Sequence, residues 1–298
     1  MSFSSETKAE LCHAPLSAPC CLRAEAYGVL LFCHTFSAGE IRIITTCPDF
    51  ARRLPRLFER AFGLAFDVLP PENARGKRTF LITDKEKILK IFDAFGQQPE
   101  LAVHLNLPVL ENECCRSAFL RGAFLAGGSI TDPDRGYHLE LITSHQSVSG
   151  ETHVLLREMD LAPRTSRRGA NHVLYYKQSE TIADVLSRAG ASLAGMSVLQ
   201  SRMEKDFRNT VNRRVNCDSA NADKIVLASR QQVESIRRID ALYGLDSLPD
   251  DLQQTAMLRL VNPEASLTDL ARLAIPPVSK SCISHRMKKL LALLEEQE

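Results

Sequence analysis

The sequence predicts an α+β protein, in which a duplicated αββαββα domain is followed by an all-α helix-turn-helix domain. Two apolar runs centred on glycine lie ninety-four residues apart, at Gly28 and Gly122, and a similar order of helices and strands follows each of them. The last third of the chain shows only helical periodicity, with capping residues and turns between the segments. These observations together indicate the fold class.

Composition sets the class of protein. With 298 residues, 44% hydrophobic and 24% charged, the chain has the size of two domains and the balance of a soluble globular protein. Its start lacks the basic and apolar regions of a signal peptide, and no apolar run reaches the roughly twenty residues that span a bilayer. We therefore expect a cytoplasmic protein without membrane contact. The net charge of +1 means that any attraction for nucleic acid comes from local patches.

The nine cysteines include two adjacent pairs, Cys20-Cys21 and Cys114-Cys115, and no CxxC motif. This spacing favours neither a secreted disulfide framework nor a zinc ribbon, so we expect reduced, buried thiols. The eight histidines show no ligand spacing such as HExxH. The sequence therefore predicts no metal ligands and no cofactor.

The two glycine-centred runs predict a pair of closely packed helices. Residues 119–129 alternate small and large apolar side chains, and Gly122 and Ala126 lie four residues apart on one helical face. Such a face lets another helix approach by its backbone, and residues 26–34 supply the partner. We expect Gly122 to tolerate nothing larger than alanine.

The elements between these helices follow in order. The first copy, about residues 20–96, is predicted to contain a helix at 21–33, a strand at 40–46, a helix at 48–62, a strand pair at 65–69 and 79–83 around the turn 70–76, and a helix at 84–95 that Asp84 caps. The second copy, about residues 112–190, is predicted to contain a helix at 112–127, a strand at 137–143, a helix at 146–159, strands at 164–168 and 172–177, and a helix at 179–189. We assign residues 1–200 to this duplicated domain. A short helix at 4–11 precedes both copies.

The C-terminal third is predicted to hold a basic linker and a helix-turn-helix domain. Residues 201–221 carry Arg202, Lys205, Arg208, Arg213 and Arg214, and 212–221 is expected to join the domains. Residues 222–298 contain predicted helices at 222–243, 249–260, 267–273 and 279–294, with Ser266 and Ser279 as caps. The last helix would enter the major groove of DNA.

The last helix has one apolar face and one polar, basic face. Ile283, Met287 and Leu290 belong to the apolar face. The predicted contacts to double-stranded DNA are Ser279, Lys280, Ser281, Ser284, His285, Arg286, Lys288 and Lys289. We expect Lys280 to neutralise a phosphate and Arg286 to read a base. An ordinary solvated helix face is the alternative interpretation of these cations.

A second set of cations lies elsewhere in the chain. Arg164, Arg167 and Arg168 fall on a predicted hairpin of the duplicated domain, and Arg213 and Arg214 fall in the basic linker. These five are candidates for secondary DNA contacts, and ordinary exposed positions are the alternative.

The duplicated unit resembles the LAGLIDADG homing-endonuclease fold, in which two signature helices pack at a pseudo-twofold axis. Residues 120–128 read Leu-Arg-Gly-Ala-Phe-Leu-Ala-Gly-Gly, so Gly127 occupies the position of the catalytic acid. In the first copy that position falls on Cys33, and the final glycine is His34. In active enzymes of this fold the two acids hold magnesium, which prefers carboxylate oxygens. The resemblance therefore implies a scaffold that has lost its nuclease chemistry.

The whole chain also resembles the WhiA family of Gram-positive transcriptional regulators. The most specific segments for this resemblance are 119–124, 212–221 and 276–281, and the likeness begins at the first four residues. It implies a DNA-binding regulator of sporulation or cell division and of the cell cycle, associated with the nucleoid and without enzymatic activity. A second transcriptional regulator is the further partner that it suggests.

Two other function classes stay open from the residues alone. A metal-dependent DNA endonuclease could use acids outside the signature, and Glu25, Glu113, Asp132 and Asp134 lie near the signature helices in sequence. A protein-interaction module without a DNA role is the third reading.

Overall fold

The computed structural model describes residues 2–71 and 76–295. It divides into two compact units, the first ending at Lys205 and the second beginning at Asp206. Nowhere in these ranges does a helix combine the length and apolar content needed to cross a bilayer.

The first unit contains two successive sets of helices and strands. The first set comprises α1 (Phe3–Leu11), α2 (Pro19–Leu31), β1 (Thr35–Phe36), β2 (Ile41–Thr45), α3 (Pro48–Phe62), β3 (Arg78–Ile82) and α4 (Lys85–Ala94). A 3-10 turn at Leu107–Leu110 leads into the second set: α5 (Glu113–Gly127), β4 (Gly128–Ile130), β5 (Leu139–Thr143), α6 (Gln146–Glu158), β6 (Arg164–Arg168), β7 (Asn171–Tyr176) and α7 (Ser179–Ala189). The predicted duplication is confirmed.

Helices α2 and α5 form the central seam of the unit and meet by their backbones. A Cβ atom built on Gly28 would lie 2.2 Å from the carbonyl oxygen of Phe119, and one built on Gly122 would lie 2.0 Å from that of Glu25. Only glycine fits at such distances, because ordinary contact begins near 3.4 Å. The structure sets a stricter limit at Gly122 than the predicted one, which still allowed alanine, because the helices approach more closely than the sequence pattern indicates.

Each copy builds one antiparallel sheet. The first sheet has the strand order β1-β2-β3, and the second has the order β4-β5-β7-β6. In the second sheet Leu141 pairs with Leu174, and in the first Ile43 pairs with Phe80, so each sheet pairs two buried apolar residues. These inner faces join one continuous apolar core with the seam helices.

The strands differ from the prediction at three places. Residues 65–69 form no strand, and Val68 makes only an isolated bridge to Leu81. The Asp67 carboxylate instead accepts hydrogen bonds from the backbone N–H groups of Thr83 (2.6 Å) and Asp84 (2.8 Å), which ends the pairing. The short strands β1 and β4 were not predicted. Of the predicted turn 70–76, residues 72–75 lie outside the described residues.

The second unit is helical. It contains the C-terminal part of α8 (Ser192–Tyr243), a 3-10 turn at Leu245–Ser247, and the helices α9 (Asp250–Val261), α10 (Leu267–Leu273) and α11 (Lys280–Glu295). The expected joint at 212–221 is wrong as local structure, because α8 is continuous through the whole of the predicted basic linker 201–221. No proline or glycine interrupts these residues, so nothing in them ends a helix.

Two apolar clusters hold the helices of the second unit together. Ile236, Ala256 and Met287 belong to the cluster that joins α8, α9 and α11. Leu270 and Ile283 belong to the cluster that joins α10 to α11. The apolar face predicted for the last helix is therefore the face that is buried.

Candidate DNA-binding surface

The turn and the caps of the helix-turn-helix set the position of α11. The Ser266 hydroxyl accepts the N–H of Asp269 at the start of α10 (3.2 Å), and the Ser279 hydroxyl accepts the N–H of Cys282 at the start of α11 (3.2 Å). Both caps were predicted. They satisfy N–H groups that the first turn of a helix leaves without intrahelical partners.

The residues predicted to contact DNA fall mainly on the exposed side of α11. Its buried residues are Ile283, Met287 and Leu290. The exposed residues of the predicted set are Ser279, Lys280, Ser281, His285, Lys288 and Lys289, and Ser284 is half-buried. The structure therefore brings seven of the eight residues to an accessible surface, with three lysines among them.

Arg286 is placed differently. Its side chain is only 19% exposed, and its Nε lies 3.4 Å from an Asp251 carboxylate oxygen on α9. Its Nη1 is buried without a hydrogen-bond partner among the described residues. The expected role of a base reader does not fit this orientation, because the guanidinium turns toward α9 and not toward solvent.

A buried arginine that the sequence analysis missed supports the loop before α10. Arg259 of α9 is 2% exposed and donates hydrogen bonds to the Ser229 hydroxyl (2.9 Å) and to the carbonyl oxygens of Ala265 (2.6 Å) and Asn262 (3.3 Å). Burial lowers its pKa. No sequence motif marks this residue, since its partners are mostly backbone carbonyls.

The hairpin arginines of the first unit are exposed, and two of them have local partners. In the register of the sheet, Arg164 and Arg168 share a face with Glu140. Arg168 donates to the Glu140 carboxylate at 3.0 Å, and Arg167 donates to the carbonyl of Gly169 at 3.1 Å. Burial opposes the ionisation of Glu140, but hydrogen bonds from Arg168 and His138 hold its pKa below the usual value. This carboxylate reduces the positive charge of the face.

The basic residues of the predicted linker lie on α8. Arg213 and Arg214 are exposed there. Lys205 is occupied within the first unit, where its ammonium group donates to the Pro133 carbonyl (2.5 Å) and lies 4.7 Å from the centre of the Tyr137 ring.

The two signature-acid positions border one open pocket of about 560 Å³ at the C-terminal ends of α2 and α5. The Cys33 thiol donates to the carbonyl oxygens of Leu30 and Thr35 (both 3.1 Å), and burial raises its pKa to about 12. At Gly127 a Cβ atom would lie 2.4 Å from the Ile142 carbonyl oxygen, so backbone fills the space of a side chain. The described residues that line the pocket include no aspartate or glutamate. The pocket therefore offers no carboxylate pair to a metal.

The acids outside the signature lie in other arrangements. Glu25 is 2% exposed and pairs with Arg53 through contacts of 2.6 and 2.8 Å, and with Arg121 at 3.2 Å. Glu113 begins α5, at the opposite end of the helix from Gly127. Asp134 accepts a hydrogen bond from Ser201 (3.0 Å), and Asp132 caps the N–H of Asp134 (2.9 Å). These contacts are structural, and they do not bring the four acids together.

The structure also assembles a side-chain cluster that the sequence analysis missed. The Sγ atoms of Cys20, Cys21, Cys114 and Cys115 all lie within 4.8 Å of one another. The signal for it was the repeat itself, because Cys20 and Cys114 are separated by ninety-four residues, as are Gly28 and Gly122. No CxxC motif marks this cluster, because each helix contributes two adjacent cysteines.

Models of known protein families match both units of the chain. The WhiA LAGLIDADG-like domain matches residues 116–208, and the WhiA C-terminal HTH domain matches residues 211–294. A protein of Ruminiclostridium cellulolyticum named "Probable cell division protein WhiA" is 37% identical over 306 residues, covering 99% of this chain and 97% of its own. The protein of the same name from Alkaliphilus metalliredigens is 33% identical and covers 97% and 96%.

Solved structures agree on the fold. The crystal structure of full-length DUF199/WhiA from Thermatoga maritima has a TM-score of 0.61 and 24% identity, covering 99% of each chain. The crystal structure of the N-terminal LAGLIDADG domain of DUF199/WhiA has a TM-score of 0.50 and 20% identity, covering 63% of this chain and 92% of that one. The chain therefore belongs to the WhiA family, in which a LAGLIDADG-like domain is combined with a C-terminal helix-turn-helix domain.

Proposed function

We propose that this protein is a sequence-specific regulator of transcription that binds double-stranded DNA through α11. The observation that carries the proposal is the division of α11 into two faces. Ile283, Met287 and Leu290 anchor one face in the domain, while Lys280, Lys288 and Lys289 stand exposed on the rest of the helix. A helix held by one side and basic on the other suits the major groove, which admits a single helix.

The polar residues of α11 suit different parts of the DNA. Lys280 and Ser281 lie in the first turn of α11, where backbone N–H groups and the helix dipole also favour a phosphate. Ser284 and His285, one turn further, carry short polar groups suited to base edges. Arg286 acts as a positioning residue in this proposal, because its contact with Asp251 links α11 to α9.

The biological setting follows from the relatives. Those compared above are named as cell division proteins, and we propose that this chain regulates genes of cell division or sporulation at the nucleoid. The LAGLIDADG-like unit would then serve as a scaffold for a second DNA contact or for another transcriptional regulator. Mapping bound sites across the genome, for wild type and for a Lys280→Ala variant, tests this setting. Enriched sites that persist unchanged in the variant would contradict it.

The first experiment is a titration of labelled duplex at several salt concentrations. Lys280→Ala and the double variant Lys288→Ala, Lys289→Ala should weaken binding, and each lost phosphate contact should reduce the slope of log affinity against log salt by about one. Lys90→Ala is the matched control, since Lys90 is an exposed helical lysine of the first unit. That control should bind as wild type does.

The same titration also tests the hairpin of β6 and β7 as the alternative DNA-binding surface. Arg167→Ala and Arg168→Ala remove exposed cations from the LAGLIDADG-like unit. If these variants lose binding while the α11 variants keep it, recognition belongs to the sheet face and the assignment of α11 is wrong. Loss in the α11 variants alone supports the proposal.

We also propose that the protein has no nuclease activity. Among the described residues that line the pocket at Cys33 and Gly127, none is a carboxylate that would hold magnesium at a scissile phosphate. Purified protein incubated with its best-bound duplex in magnesium or manganese should leave the strands intact, as judged by sequencing of the ends. Reproducible cuts that disappear with a chelator, and that a Lys280→Ala variant no longer makes, would favour an endonuclease.

A further inference from the structure

Four thiols meet where the two seam helices begin. Cys20 and Cys21 lie in the first turn of α2, which starts at Pro19, and Cys114 and Cys115 lie in the first turn of α5, which starts at Glu113. The Sγ atoms of the first pair are 3.9 Å apart and those of the second pair 4.0 Å apart. Because each copy contributes one pair, the cluster follows the pseudo-twofold symmetry of the seam.

We propose that these four cysteines bind one zinc ion as a tetrathiolate site. Zinc forms bonds of about 2.3 Å to thiolate sulfur, so a tetrahedron of four sulfurs around it has edges of about 3.8 Å. The two vicinal pairs have this spacing, and all four sulfurs lie within 4.8 Å of one another. Coordination therefore requires side-chain movements of less than an ångström or so between the pairs.

The donor set selects the class of metal. Calcium and magnesium prefer hard oxygen ligands, whereas four thiolates suit zinc. An iron–sulfur cluster distributes its cysteines over several iron atoms, which requires wider separation than a single ion does. Four protein ligands leave no open coordination position, so the site would be structural and not catalytic.

The location on two helix starts favours the charged form of the site. A zinc ion with four thiolates carries a net charge of −2, and its ligands lie in the first turns of both helices, where the positive ends of the helix dipoles stabilise negative charge. As each coordinate bond forms, the thiol releases its proton to solvent, so one ion replaces four protons.

The site would link the two copies directly. Along the rest of the seam, Gly28 and Gly122 bring α2 and α5 into backbone contact, and the ring of Tyr27 packs against that of Phe119. Cys114 and Gly127 lie at opposite ends of α5, about 20 Å apart along its axis. The zinc site is therefore separate from the pocket that replaces the catalytic centre, and it does not depend on DNA binding.

The test uses the full chain, produced without a metal-binding tag and purified in a thiol-free reductant. Elemental analysis should find one zinc per chain, and cobalt added after chelation should give the charge-transfer and visible bands of a tetrahedral tetrathiolate. The double variant Cys20→Ser, Cys114→Ser, which removes one ligand from each pair, should lose the bound zinc and these bands. Cys217→Ser is the control, because Cys217 is another exposed cysteine on a helix.

Stability gives a second readout that does not depend on the double variant folding. Removal of zinc from the wild-type chain should lower the Tm of the first unit, and added zinc should restore it. Labile sulfide with cluster absorption, disulfides within the four cysteines of freshly reduced protein, or zinc retained in full by the double variant would each overturn the proposal. Absence of zinc together with no cobalt bands in the wild type would do the same.

Discussion

Replacement of Gly122 by alanine adds a single methyl group to the seam between α2 and α5. Its Cβ would lie 2.0 Å from the Glu25 carbonyl oxygen and 3.0 Å from the Val29 nitrogen, whereas ordinary contact begins near 3.4 Å. The helix backbones would have to separate by about 1.4 Å at this point. The obstructing atoms belong to the backbone, so no side-chain rotation can relieve the contact.

Two free energies of opposite sign decide the outcome. Alanine stabilises a helix interior by roughly 1 kcal/mol relative to glycine. Overpacking a dense core costs typically 1 to 3 kcal/mol, and a backbone that cannot yield places the cost in the upper half of this range, at about 2 to 3 kcal/mol. We expect Gly122→Ala to lower the free energy of unfolding by about 1 to 2 kcal/mol, and Gly122→Val to lower it further. For a unit of this size the Tm should fall by roughly 2 to 8 °C.

Gly150 provides a matched control. It lies inside α6, is exposed, and has no heavy atom within 4 Å of an added Cβ. Gly150→Ala should therefore stabilise the protein by roughly 0.5 to 1 kcal/mol, which is the helix-propensity effect alone. The same substitution should thus lower the free energy of unfolding at Gly122 and raise it at Gly150.

The assay is thermal and urea unfolding followed by tyrosine fluorescence. The chain has no tryptophan, and four of its five tyrosines, Tyr27, Tyr137, Tyr175 and Tyr176, lie in the first unit. The signal therefore reports mainly on the unit that contains the seam. If Gly122→Ala stabilises the protein as much as Gly150→Ala does, the helices do not meet by their backbones and the packing argument is refuted.

Two further predictions concern charged groups. Arg286→Ala should lower the Tm of the second unit and weaken binding to all duplexes alike, because Arg286 links α11 to Asp251 of α9; altered preference at one base pair, measured with singly substituted duplexes, would instead show a base reader. The Lys87 ammonium group and two backbone N–H groups lower the pKa of Asp67 from 3.8 to about 2. Since this pKa is lower in the folded state, the stabilisation is complete above about pH 4 and is lost as the pH falls toward 2. Asp67→Asn should therefore flatten the dependence of Tm on pH in this range, and parallel profiles would contradict the assignment.

Much of the fold could be predicted from the sequence, because it depends on local patterns of residues. The glycines at 28 and 122 marked the seam, and the caps Ser266 and Ser279 marked the starts of α10 and α11. The strand expected at 65–69 failed because the Asp67 side chain takes backbone donors that a strand would have used. Such competition depends on where a distant segment passes, and no local pattern encodes it.

The candidate DNA-binding surface and the cysteine cluster could likewise be predicted only in part. Exposure of Lys280, Lys288 and Lys289 follows from the helical period, since they alternate with the buried positions of α11. Arg286 lies beside the buried face, and its contact with Asp251 depends on the position of another helix, which the local sequence does not indicate. The cysteine cluster requires two helices from different copies to start side by side, which follows from the repeat but is marked by no short motif.

The packing at Gly127 makes the loss of the signature acid hard to reverse. The carbonyl oxygens of Ile142 and Phe32, 2.4 and 2.7 Å from the site of a Cβ atom, occupy the volume that an aspartate needs. A single codon change back to an acid would therefore be met by a steric penalty before any metal could bind. Reversion would require the end of α5 to move away from β5 first, and an intermediate without metal gains nothing from that movement. The packing around Gly127 therefore opposes an acidic side chain at this position.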